Sequence, residues 1–97
     1  MKSIHRQVID ITDEQTISAR GLSRVLAVDS RRSRHGKAEV WFETDSDKEE
    51  AEITLWTIGT GNLIPDEVSR FGNYVGHYFA ENNRFVGHVY ASAPKGQ

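Results

Sequence analysis

The clearest signal in the apolar and polar pattern lies in EITLWTIGTGNLIP, residues 52–65. Ile53-Thr54-Leu55-Trp56-Thr57-Ile58 puts apolar side chains on both faces, breaks at Gly59-Thr60-Gly61 and resumes at Leu63-Ile64-Pro65. A strand apolar on both faces is normally covered on both faces, so this segment is expected to be the central strand. Residues 37–45 show a different pattern. Ala38, Val40 and Phe42 share one face, and Glu39, Trp41 and Glu43 share the other, which is close to a half-buried antiparallel strand. Trp41 stands out between two acids. Either a second layer covers that face, or Trp41 is exposed and anchors an interface.

The flanking segments also read as short strands. In residues 4–11, Ile4 and Val8 fall on one face and Ile9 and Ile11 on the other, a defect that a bulge or an edge position would explain. Residues 15–19 form a short strand that ends at the turn Arg20-Gly21. Residues 23–30 follow, with Val25-Leu26-Ala27-Val28 apolar on both faces. One helix is expected, at about 65–71: Pro65 starts it, Asp66 and Glu67 fill its first turn, and Gly72 follows it. Val68 and Phe71 should hold it on the core. Residues 73–81 and 84–92 flank Asn82-Asn83 as a hairpin. A two-residue loop sets Phe79 opposite Val86, His77 opposite His88 and Val75 opposite Tyr90. The tail, residues 93–97, is expected to fray.

These elements predict an all-β fold, a small antiparallel β-sandwich or partly open barrel of six or seven strands with one short helix. The 97 residues make a single domain, with an ordered core at about 3–92. Net charge is −2, so overall charge implies neither nucleic acid nor membrane as a partner. Cysteine is absent, which excludes disulfides and thiolate metal sites. No apolar run approaches a membrane span, and the first residues lack the apolar core of a signal peptide. The expected location is the cytoplasm, without membrane insertion.

Candidate chemistry is sparse. Gly59-Thr60-Gly61-Asn62 follows a strand, but position 64 is Ile and no Lys follows, so it fits a turn better than a phosphate cradle. His77 and His88, if directly opposed, have Cβ atoms ~5 Å apart and are weak metal candidates, because zinc needs further ligands. Asp45, Asp47 and Glu49 alternate like the start of a calcium loop but lack its glycine and closing acid. No G-x-S-x-G occurs. The chain is therefore expected to be non-enzymatic and to need no cofactor. Arg31, Arg32, Arg34, His35 and Lys37 make a basic connection that could contact phosphates. It lies at one end of strand 37–45, and the acidic run 45–50 lies at the other.

Ile11-Thr12-Asp13-Glu14-Gln15-Thr16-Ile17, Trp56-Thr57-Ile58-Gly59-Thr60-Gly61 leading into Ile64-Pro65-Asp66, and a closing apolar hairpin with His88 together resemble a family of small bacteriophage-encoded proteins of unassigned function. The resemblance covers residues 2–91, and its most recognisable pieces are DITDEQTI and IGTGNLIPDE. It implies an accessory protein that binds a bacterial host protein. The expected function is protein–protein interaction, with a host protein or by self-association, through Trp41 and the basic residues Arg31, Arg32, Arg34 and Lys37. The alternative is a small nucleic-acid-binding regulator that uses the basic loop 31–37.

Overall fold

The computed structural model describes residues 1–31, 36–80 and 84–96. Its strands are β1 (Lys2–Asp10), β2 (Glu14–Arg20), β3 (Leu22–Asp29), β4 (Lys37–Asp45), β5 (Glu50–Gly59), β6 (Asn73–Ala80), β7 (Phe85–Ala91) and β8 (Lys95–Gly96), with one helix, α1 (Asp66–Phe71). They form two antiparallel sheets. The three-stranded sheet has the order β1-β4-β3, and the five-stranded sheet has the order β2-β5-β7-β6 with β8 also on β5. The fold is a sandwich and not a closed barrel. Among the described residues there are eight strands where six or seven are expected, because Lys95 and Gly96 of the tail, expected to fray, pair with Glu52 and Ala51.

β5 is central to the larger sheet, as its two-sided apolar pattern predicts. Ile53 and Leu55 enter the core between the sheets. Trp56 points to the outer face, is buried, and donates its indole N–H to Glu14 Oε1 at 3.1 Å. The space beside it is walled by Val68 of α1, so the short helix supplies the second cover that an outward tryptophan requires. Val68 is fully buried, but Phe71 is 64% exposed. The expectation that both residues hold the helix down is thus corrected. The helix has six residues, and Val68 is the one it buries, so a single side chain anchors it.

The core consists of Ile9, Ile17, Leu22, Ala38, Val40, Phe42, Ile53, Leu55, Tyr78, Val89 and Ala91. β3 contributes through two bulges, at Ser23 and Leu26, in its pairing with β4. They leave Leu22, Val25 and Val28, three residues apart, opposite the inward residues Thr44, Phe42 and Val40. Each bulge resets the alternation by one residue, which accounts for a segment that reads as apolar on both faces. Where β2 turns into β3, Gly21 has φ of 68°, and a Cβ there would fall 1.7 Å from the Asp45 carbonyl oxygen. Only glycine fits this turn.

The sheets are stitched along one side by Ser30. Its hydroxyl donates to the Phe79 carbonyl at 2.7 Å and accepts from the Phe79 N–H at 3.2 Å. In the hairpin, Phe79 faces Val86 and His77 faces His88 as predicted, but Tyr74, not Val75, faces Tyr90. A bulge at Val75 shifts the register there and directs Val75 onto the core.

Candidate interaction surface

Trp41 sits in the middle strand of the three-stranded sheet, on the face turned away from the core. The same face carries Lys2, Ile4, Arg6, Val8 and Asp10 from β1, which lie opposite Asp45, Glu43, Trp41, Glu39 and Lys37. Arg24, Ala27 and Asp29 of β3 complete it. Trp41 is half-buried, Ile4 is 65% exposed and Val8 is 52% exposed. No described element lies over this face, whereas α1 covers part of the corresponding face of the other sheet. Trp41 pairs with Arg6 of β1 and Ala27 of β3 on either side.

The polar character expected for this face is only partly present. Glu39 is 2% exposed, and its Oε2 accepts from Arg6 Nη1 at 2.5 Å. A carboxylate is tolerated at such depth when a cation and hydrogen bonds compensate it. Glu43 meets Arg24 at 3.5 Å, near the limit of an ion pair. The surface is therefore an apolar strip, Ile4, Val8 and Trp41, crossed by compensated charges.

Of the basic connection, Arg31 and Lys37 are described, and Arg32, Arg34 and His35 lie outside the described residues. Arg31 Nε pairs with Asp29 Oδ2 at 2.7 Å, and Lys37 pairs with Asp10. The Asp29 carboxyl is held below its ordinary range, first by the Arg31 main-chain N–H and also by the Arg31 side chain. These two cations are already engaged within the molecule, which leaves less charge to offer to phosphate. At the acidic end of β4, the Met1 amino group pairs with Asp45 at 3.2 Å and Asp47 at 2.9 Å. The Asp47 main-chain N–H, followed by the Met1 amino group, lowers the Asp45 carboxyl.

His77 and His88 come together, with ring centroids 6.0 Å apart. Both nitrogens of His88 are occupied, however. Thr60 Oγ1 lies 2.9 Å from Nε2 and Tyr74 Oη lies 2.8 Å from Nδ1. A metal ion would have to displace one of these hydroxyls. Among the described residues no group of three or more His, Cys, Asp or Glu is arranged to hold a metal ion. Gly59-Thr60-Gly61-Asn62 forms a turn, closed by Asn62 N–H on the Gly59 carbonyl at 3.0 Å, and it presents Thr60 to His88.

Sequence reasoning missed Ile4 and Val8 as surface residues. Their signal was the broken alternation of residues 4–11. β1 pairs with β4 without a register break, so edge position, and not a bulge, explains that defect.

Fold and surface together define a small antiparallel β-sandwich protein with one partly apolar sheet face that no element among the described residues covers. The chain belongs to a family described as a domain of unknown function (DUF7352), which it matches over residues 1–97. Neither a curated protein nor a solved structure matches it. No described helix is long and apolar enough to cross a membrane.

Proposed function

We propose that this protein is a small, non-enzymatic accessory protein of the bacteriophage type. It acts in the bacterial cytoplasm by protein–protein interaction, with a host protein or with further copies of itself. The observation that carries this reading is the half-buried Trp41 beside exposed Ile4 and Val8, on a sheet face that no described element covers. A large aromatic held by its neighbours, with apolar surface around it, has the character of an interface anchor. The nucleic-acid alternative is weakened by the internal ion pairs of Arg31 and Lys37. Phage origin draws on the resemblance carried by DITDEQTI and IGTGNLIPDE.

Affinity capture from nuclease-treated bacterial lysate tests the proposal. The wild-type protein is compared with Trp41→Ala and with a variant in which Arg31, Arg32 and Arg34 are serine. A discrete partner lost with Trp41→Ala and kept by the serine variant supports it. Capture that depends on the arginines and disappears with nuclease refutes it.

A further inference from the structure

β1 has nine residues, and only Ile9 among them is buried. Its main chain pairs with β4 on one side. On the other side no main-chain partner comes from the described residues; the Gln15 side chain reaches only the Asp10 carbonyl, at 2.7 Å. Natural edge strands are usually short, bulged, interrupted by Pro, charged or covered. β1 carries Lys2, Arg6 and Asp10, but it is long, has no Pro and runs in unbroken register.

Its outward side chains read Lys2, Ile4, Arg6, Val8, Asp10, a sequence that complements itself about Arg6. We propose that β1 pairs antiparallel with β1 of a second copy around a two-fold axis at Arg6, joining two three-stranded sheets into one of six strands. An axis normal to the sheet keeps each face on its own side. Lys2 then faces Asp10 of the second copy, and Ile4 faces Val8 of the second copy. Shifting the register by two residues sets Lys2 against Val8 or Asp10 against Ile4 and loses both matches. At the axis each Arg6 brings the Glu39 carboxylate that already holds it, so two cations meet accompanied by two anions. Asp10, which already pairs with Lys37, gains a second cation in Lys2 of the other copy. Such pairs fix register more than they add affinity. The covering of Ile4 and Val8 and the main-chain ladder supply the attraction.

The ladder is ~30 Å long at the rise of a strand. A strand pair of this size falls short of the ~1,200 Å² of a stable specific interface, so the dimer should dissociate on dilution. The inference rests on the interaction reading, since it names a partner for the same sheet, but the two fail separately. Trp41→Ala tests lysate capture, and β1 substitutions test self-association.

The experiment is sedimentation velocity over a dilution series, on the wild-type protein and on Ile4→Lys/Val8→Lys, with circular dichroism to verify folding. The wild type should pass from monomer to dimer as concentration rises, and the folded double variant should stay monomeric. Because the chain has no cysteine, the register is read separately with Ile4→Cys and Val8→Cys. Mixed together, they should be bridged by a short bismaleimide, while Ile4→Cys alone should not. This readout stands if the double lysine variant fails to fold. A wild type monomeric throughout overturns the proposal, as does a dimer indifferent to the lysines. Equal cross-linking of Ile4→Cys with itself would also overturn it.

Discussion

Tyr78 and Gly87 face each other across the β6–β7 ladder, and the tyrosine ring occupies the space over the glycine. A Cβ at position 87 would lie 2.7 Å from Tyr78 Cζ and 2.9 Å from Thr57 Cγ2. The ring belongs to the core and is 2% exposed, so it has little room to yield. Gly87→Ala should cost about 1–3 kcal/mol, read as a lowered urea midpoint with an unchanged m-value. A loss below ~0.5 kcal/mol, the range of ordinary surface changes, would mean that the ring moves aside freely.

Burial raises the Tyr78 hydroxyl above its ordinary value of 10.0. As pH climbs past that value, the unfolded chain ionises before the folded one. Stability is therefore complete below it and lost as pH rises toward the raised folded value. The hydroxyl lies buried beside Thr57 without good hydrogen-bond geometry among the described residues, so Tyr78→Phe should alter neutral-pH stability by less than ~1 kcal/mol. It should also flatten the alkaline slope in thermal melts. Asp29 and Asp45 act in the opposite range. Both are lowered from 3.8, chiefly by main-chain N–H donors of Arg31 and Asp47, so what they contribute is present above that value and lost as pH falls below it.

Val68 and Phe71 separate the two roles of α1. Val68→Ala empties a buried contact against the outer face of the larger sheet and should cost about 1–3 kcal/mol. Phe71→Ala, at a side chain 64% exposed, should stay within about 0.5 kcal/mol of wild type. Denaturant titrations of the two variants compare them directly; equal losses would restore the idea that both residues hold the helix down.

Arg6 compensates a carboxylate buried between strands. Arg6→Met should cost about 1–3 kcal/mol, because it strips a charged donor from Glu39, with the exposure of Arg6 keeping the loss below that of a fully buried pair. Arg6→Met/Glu39→Met should recover most of it, since an apolar pair often replaces a buried ion pair without penalty. Thermal melts of both single variants and the double variant close the cycle. Strict additivity would mean that the two side chains do not interact energetically.

Local pattern carried much of the fold. Ile53, Leu55 and Trp56 announced a strand covered on both sides, and Pro65 with Asp66, Glu67 and Gly72 marked the helix. His77 and His88 were set opposite each other by counting back from the turn. What local pattern missed depends on cross-strand partners. The bulges at Ser23 and Leu26 exist because β3 must match the inward residues of β4, and the bulge at Val75 does the same on β7. Buried Glu39 is bonded by Arg6, 33 residues away, a partner that local pattern around position 39 does not reveal. Trp41 stands out in its own strand between two acids, but its apolar neighbours Ile4 and Val8 come from β1, where they show only as an imperfect alternation. Arg31 and Lys37 read as free cations because Asp29 and Asp10 meet them only in the folded chain.

The most direct test of the central claim, binding through the Trp41 face, is the salt dependence of lysate capture by wild type and Trp41→Ala. The account predicts a discrete protein retained from low to high salt by wild type and lost throughout by Trp41→Ala, as an apolar anchor requires. Capture of nucleic acid that falls steeply with salt, indifferent to Trp41 and abolished by substituting Arg31, Arg32 and Arg34, would contradict it.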